Sequence, residues 1–89
     1  MDAIDFGPVH RANLGPIDLA KFLGIGRPTC SYWLNGHKQP HPLHRDRVKA
    51  VVDAISTATQ SGEFPVPLNV MRRERALYIR RTLERVLQS

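Results

Sequence analysis

The sequence predicts a small all-α domain, and three observations support this prediction. Apolar residues recur at helical spacing, most clearly between Pro42 and Gln60. Seven prolines and six glycines divide the 89 residues into short segments. Neither a β-hairpin signal nor an internal repeat is present in the sequence. We therefore expect about four to five helices, the last of which is a long C-terminal helix.

The expected helices are bounded by proline, glycine and asparagine. Pro16 suits the first position of a helix, because the N–H that proline lacks would be unpaired there. Gly24 is placed to end that helix in a left-handed conformation, and Asn35-Gly36 is a turn signal. Phe64, in the proline-rich connection after residue 60, is expected to pack back onto the core. The predicted helices span residues 9–13, 16–23, 27–34, 42–60 and 69–88.

Composition and cysteine usage limit the class of protein. No apolar run approaches the roughly 20 residues that a membrane span needs, and the N-terminus lacks the basic start and apolar stretch of a signal peptide. The single cysteine, Cys30, excludes an internal disulfide, so we expect a cytoplasmic protein. No Ser/His/Asp or Cys/His arrangement points to an enzyme, and no glycine loop follows a strand. We expect no enzymatic activity, cofactor, metal, membrane contact or small-molecule ligand.

The net charge of +5 is concentrated toward the C-terminus. Residues 68–89 contain six arginines and two glutamates, a net charge of +4, whereas residues 1–67 carry a net charge of +1. A small basic domain is typical of proteins with a polyanionic partner such as nucleic acid. A solvated helix face explains the same charges equally well, so charge alone does not decide between the two.

The stretch LGIGRPTCSYWLNG, residues 23–36, places unlike residues on the two sides of one short helix. Cys30, Trp33 and Leu34 fall on one side of a helical wheel, which suits that side for packing on the preceding helix. The other side holds Pro28, Ser31, Tyr32 and Asn35, with Arg27 and Thr29 at its margins. The short turn at residues 24–26 and the small side chain of Ala20 allow the two helices to cross closely. This arrangement predicts a helix-turn-helix, whose second helix lies in the major groove of DNA.

Residues 17–36, IDLAKFLGIGRPTCSYWLNG, resemble the helix-turn-helix of Cro-like and Xre-type phage and bacterial repressors. The matching positions are Leu19-Ala20, Leu23-Gly24-Ile25, Ser31, Trp33 and Asn35-Gly36. The resemblance extends over residues 9–60, and Pro40 leads into an amphipathic helix as it does in the family. The chain departs from the family at Pro16, where many relatives have a Gln, Ser or Thr that reaches a phosphate. It departs again at Gly26, which replaces a Ser or Thr cap.

The resemblance implies a regulator of transcription that binds double-stranded DNA in a sequence-specific manner. A Cro-like repressor of this kind occupies an operator as a homodimer and blocks polymerase, in the cytoplasm and at the nucleoid. Residues 1–67 are then the helix-turn-helix DNA-binding domain, and residues 68–89 are an amphipathic, Arg-rich helix for packing or dimerisation. The alternative is an antitoxin-like or other helix-turn-helix protein that binds a protein partner and binds DNA only secondarily.

The resemblance also implies roles for individual side chains. The residues expected to read base edges are Arg27, Pro28, Ser31, Tyr32 and Asn35. The residues expected to contact phosphates are Thr29, His37, Lys38, His44 and Arg45. Arg27 is the leading candidate because its guanidinium fork fits guanine O6 and N7, although a contact to phosphate alone is the alternative. Asn35 either binds adenine or, as the preferred interpretation, ends the helix together with Gly36.

Two further features have more than one interpretation. We interpret Cys30 and Trp33 as core residues, because a redox-sensing cysteine needs exposure and a lowered pKa. His37, His41 and His44 lie within eight residues, a density compatible with metal binding. A loop with two prolines and a single nearby carboxylate makes a poor metal site, so contacts with phosphates are the preferred interpretation.

The last predicted helix has an apolar stripe with two possible destinations. Its 3-4-3 spacing is formed by Ala76, Ile79, Leu83 and Val86. The stripe packs either on the helix at residues 42–60 or on its twin in a second chain. Because helix-turn-helix proteins usually bind two half-sites as dimers, we favour dimerisation. Arg72 and Arg75, near the start of this helix, suit phosphate contacts, a salt bridge with a partner or simple solvation.

Overall fold

The computed structural model describes residues 3–89, which form five α-helices and no β-strand. The helices are α1 (Gly7–Arg11), α2 (Pro16–Leu23), α3 (Arg27–Leu34), α4 (Pro42–Gln60) and α5 (Arg75–Gln88). A 3-10 helix, Arg72–Glu74, leads directly into α5. The expected all-α fold with a long C-terminal helix is confirmed.

The middle three helices have the predicted bounds, because their start and stop signals are local. Each has a proline in its first turn, and these are Pro16, Pro28 and Pro42. Gly24 ends α2 with a φ of 71°, in the left-handed region that favours glycine. Gly36 follows α3 with a φ of 77° and ends that helix in the same way.

The first and last helices differ from the prediction at their ends. The N–H groups of Val9 and His10 bond to the carbonyl of Phe6, so α1 begins earlier than expected. It ends at Arg11 because Asn13 adopts a φ of 58°. The last helix does not begin at residue 69, because the N–H of Val70 bonds to the carbonyl of Pro67 and closes a turn there.

One hydrophobic core joins the helices. α4 packs on α1 and on α5, while α2 packs on α3 and on α5. The largest fully buried side chains are Phe64, Leu19, Ile55, Leu83, Val9, Val48 and Cys30. Phe64 packs back onto the core as expected, with its ring centroid 6.4 Å from that of Tyr78. The Tyr78 hydroxyl donates to the carbonyl of Glu63 at 2.8 Å, so the proline-rich connection is tied to α5.

Candidate nucleic-acid interface

The turn between α2 and α3 is closed by backbone and side-chain hydrogen bonds. The N–H groups of Gly24 and Ile25 both donate to the carbonyl of Ala20, at 2.9 and 3.2 Å. Arg47, on α4, donates through Nη1 to the carbonyl of Leu23 at 3.0 Å. These bonds satisfy carbonyls that the end of a helix otherwise leaves unpaired. The two helices of the predicted helix-turn-helix are therefore fixed to each other and to α4.

One side of α3 is anchored in the core. Cys30, Trp33 and Leu34 are buried, and the ring of Trp33 stacks on that of Phe6 with centroids 6.2 Å apart. The prediction that Cys30 and Trp33 are core residues is confirmed. Burial raises the pKa of the Cys30 thiol, because a thiolate is poorly solvated in apolar surroundings. The side chain therefore remains a protonated thiol at neutral pH.

The opposite side of α3 faces solvent. Arg27, Pro28, Thr29, Tyr32 and Asn35 are exposed, and Ser31 is half-buried. The residues predicted to read bases therefore lie together on one accessible surface, with Ser31 the least accessible of them. We call this surface, formed by the exposed residues of α3, the α3 face.

Asn35 lies where α3 ends. It is the C-terminal cap residue, and its backbone N–H donates to the carbonyl of Ser31 at 3.0 Å. Its side-chain Nδ2 donates to the Ser31 hydroxyl at 3.3 Å. The interpretation that Asn35 ends the helix together with Gly36 agrees with this geometry. The side chains of Asn35 and Ser31 are thus hydrogen-bonded to each other, so a base contact by either one must replace this hydrogen bond.

The loop after α3 folds back onto Tyr32. The N–H groups of His37 and Lys38 donate to the carbonyl of Tyr32 at 2.9 and 3.4 Å. The Lys38 ammonium lies 5.3 Å from the centroid of the Tyr32 ring, a cation–π distance. The His37 ring meets the same ring edge-on, at 6.5 Å between centroids. A predicted base-reading residue and two predicted phosphate contacts are thus brought together at the end of α3.

His41 and His44 lie at the start of α4. His41 is its N-terminal cap, because its Nδ1 accepts a hydrogen bond from the N–H of Leu43 at 3.1 Å. The His44 ring lies 6.4 Å from that of His41 and is exposed, whereas Arg45 is half-buried. Among residues 3–89, no three His, Cys, Asp or Glu side chains are grouped closely enough to hold a metal ion. The structure thus gives His41 a capping role that the sequence did not suggest.

The apolar stripe of α5 turns inward. Ile79 and Leu83 are only 3% and 1% exposed, in the core that α5 shares with α4. Val86 is half-buried against this core, and Ala76 is exposed. The expectation that Ile79 and Leu83 contact a second chain is therefore corrected. Their side chains are already used within the chain and are not available to a second one.

Sequence reasoning missed an ion pair between α2 and α5. The Arg75 guanidinium donates to Asp18 Oδ1 at 2.5 Å and to the carbonyl of Asn13 at 3.3 Å. The other oxygen of Asp18 accepts from the N–H of Gly15 at 2.8 Å and caps α2. Arg75 is thus an internal tether and not the phosphate or partner contact considered for it. The position of Asp18 near a helix start was a signal for capping, but nothing in the sequence indicated Arg75 as the partner of Asp18.

A groove of about 250 Å³ runs between α2 and α5. Phe22, Ala76, Leu77 and Ile79 form its apolar part, and Asp18, Lys21 and Arg80 complete its lining. Leu77 is 47% exposed at this groove. An apolar depression with charged neighbours is a feature that protein ligands use, so the groove is a second candidate surface.

Two results bear on the class of protein as a whole. None of the helices between residues 3 and 89 is both long and apolar enough to cross a lipid bilayer. Comparison of the chain with protein-family models, with curated proteins and with solved structures finds no match.

Proposed function

We propose that this protein is a sequence-specific DNA-binding regulator of transcription, a Cro-like repressor that acts by occupying an operator. The proposal rests on one observation, the division of α3 into two sides. Trp33 and its buried neighbours hold the helix in the core, while Arg27, Thr29 and Tyr32 remain exposed on the α3 face. A rigid helix that presents polar side chains outward is what insertion into the major groove requires.

The charge around the α3 face supports the same proposal. Residues 19–45 contain no aspartate or glutamate but four basic residues, which are Lys21, Arg27, Lys38 and Arg45. A segment without acidic residues has no like charge to repel DNA phosphates, and its cations release counterions from the duplex on binding. Within this segment, Arg27 is proposed to read guanine, and Lys38 to contact a phosphate beside Tyr32.

We further propose that two copies bind one operator, in the cytoplasm at the nucleoid. Because Ile79 and Leu83 are in the core, we place the contact between copies on residues of α5 that remain exposed. Ala76, Leu77 and Leu87 are exposed there. Two half-sites about 34 Å apart would be expected for such a dimer.

Selection from a random duplex DNA library with the purified protein tests this proposal. An inverted repeat with half-sites one helical turn apart is the result expected for a dimeric repressor. Recovery of a single half-site would contradict the proposed dimer but not the proposed DNA binding. Parallel selections with Arg27→Gln and Lys49→Gln provide a matched control. Both variants remove one positive charge, but Lys49 is on α4, where it pairs with Asp53 at 3.1 Å. Recovery of no sequence by the wild type would contradict the proposed function.

The groove between α2 and α5 favours a second candidate, an antitoxin-like protein whose main ligand is another protein. Its apolar lining, which includes the exposed Leu77, suits an apolar side chain of a partner. The two candidates differ in how they bind DNA. A repressor shows sequence preference and a steep salt dependence, whereas the second candidate binds DNA weakly and without preference.

A further inference from the structure

We infer that Arg72 and Arg73 bind phosphates of the DNA backbone beside the start of α2. This inference rests on the proposed function and adds residues outside the helix-turn-helix to its contact surface. It assigns to the 3-10 helix the contact that Pro16 cannot make from α2 itself. The ligand is the phosphodiester backbone of duplex DNA, so the contact positions the protein without reading sequence.

The position of the two arginines follows from the tether between α5 and α2. Arg75 bonds both to Asp18, in the first turn of α2, and to the carbonyl of Asn13, just before it. The 3-10 helix Arg72–Glu74 ends where α5 begins. Since a 3-10 helix rises about 2 Å per residue, the backbone of Arg72 lies about 6 Å along the helix axis from that of Arg75. Arg72 and Arg73 therefore lie within three residues of Arg75, the side chain that is bonded to the start of α2.

The two arginines are available for a ligand. Three of the four arginines of α5 form ion pairs within the chain, in which Arg75 pairs with Asp18, Arg80 with Glu84 and Arg85 with Glu63. Arg72 and Arg73 are exposed and, among residues 3–89, pair with no carboxylate. The contact found for the Arg73 guanidinium is the sulfur of Met71, at 3.8 Å.

The start of α2 needs such cations if it is to approach DNA. In helix-turn-helix docking the first helix of the motif crosses the DNA backbone. Here Pro16 has no N–H to offer a phosphate, and the N–H of Gly15 is already bonded to Asp18. The carboxylate of Asp18 would repel a phosphate, but Arg75 neutralises it. The charge that remains at this position is that of the exposed Arg72 and Arg73, offset in part by the exposed Glu74 of the same 3-10 helix, which leaves a net charge of +1.

Salt-dependent binding of the double variant Arg72→Gln/Arg73→Gln tests the inference. The probes are the duplex recovered by selection and a scrambled duplex of equal length and composition. Each phosphate contact contributes about 0.9 to the slope of log K against log salt concentration. We expect the slope of the variant to be less negative by about 1.8, with the same fold-loss of affinity on both duplexes and an unchanged selected sequence.

A second double variant, Lys49→Gln/Arg81→Gln, is the matched control. It also removes two positive charges from exposed positions, one on α4 and one on α5. A wild-type slope in the first double variant, or an equal slope change in the control, overturns the inference and leaves the proposed function standing. A wild-type protein that does not bind either duplex overturns both.

Discussion

Arg47 donates a hydrogen bond of 3.0 Å to the carbonyl oxygen of Leu23, the last residue of α2. The donor comes from the second turn of α4. A helix outside the helix-turn-helix therefore satisfies a carbonyl at the end of α2. A cation at this position also interacts favourably with the negative end of the α2 dipole. The bond links the motif to α4, which packs on α1 and α5 in the core.

We predict that Arg47→Met lowers the free energy of unfolding by about 1 kcal/mol, because it removes one hydrogen bond to a helix-terminal carbonyl. Urea unfolding followed by circular dichroism measures the loss. Lys49→Met is the control, since Lys49 is exposed two residues further along the same helix and should change stability by less than about 0.5 kcal/mol. Equal effects of the two substitutions would show that the bond to Leu23 contributes nothing.

The burial of α5 in the core leads to a second prediction. Leu83→Ala should lower the free energy of unfolding by about 2–5 kcal/mol, because Leu83 is fully buried and its truncation leaves a cavity. Leu87→Ala, four residues later on the same helix and 42% exposed, should cost far less. Urea unfolding at two protein concentrations measures the free energy of unfolding of both variants. A large loss for Leu87→Ala that disappears on dilution would instead place Leu87 in an interface between copies.

Local signals in the sequence account for the parts of the fold that were predicted. Prolines in first turns and the glycine at the end of α2 act within a few residues, so the bounds of α2, α3 and α4 could be predicted. The alternation of Cys30 and Trp33 with exposed residues likewise defined the two sides of α3. The use of the α3 face for DNA stays a prediction.

Contacts between distant residues could not be predicted in the same way. Asp18 and Arg75 are 57 residues apart, and many arginines in the chain have the charge to pair with that carboxylate. The stripe containing Ile79 and Leu83 has the same periodicity whether it packs within a chain or between chains. Only the placement of α5 against α4 decides between these destinations, and that placement depends on the whole core.

Burial of the Cys30 thiol gives a prediction about pH. Below the pKa of an exposed thiol, roughly 8.5, Cys30 is protonated in both the folded and the unfolded state. Above that pH the unfolded chain loses the proton while the folded protein keeps it, because burial raises the folded-state pKa. The unfolded state then binds fewer protons, so the contribution of Cys30 to stability falls as the pH rises.

The stability difference between the wild type and Cys30→Ala isolates this contribution from other titrating groups. We expect the wild type to lose its advantage progressively as the pH rises above about 8.5, the pKa of an ordinary exposed thiol. We also expect the native thiol to resist a disulfide reagent at pH 8 and to react at once in urea. Rapid reaction in the native state would contradict the burial of Cys30 and restore a redox interpretation.

The role of Arg27 can be resolved by two substitutions. Arg27→Ala should weaken binding to the selected site by about 1–3 kcal/mol, the range for one good contact to a base pair. Its circular dichroism spectrum should not change, because the side chain is exposed at the start of α3. Arg27→Lys keeps the positive charge but loses the planar fork that matches guanine O6 and N7.

The lysine variant therefore distinguishes a base contact from a phosphate contact. If Arg27 reads guanine, Arg27→Lys should bind the selected site nearly as weakly as Arg27→Ala and lose preference at one base pair. If Arg27 contacts only a phosphate, Arg27→Lys should recover most of the affinity and keep the full preference. Competition binding against duplexes that vary one base pair at a time measures both quantities. Recovery by lysine would remove Arg27 from the base-reading residues and leave Tyr32 and Ser31 as the side chains to examine for sequence preference.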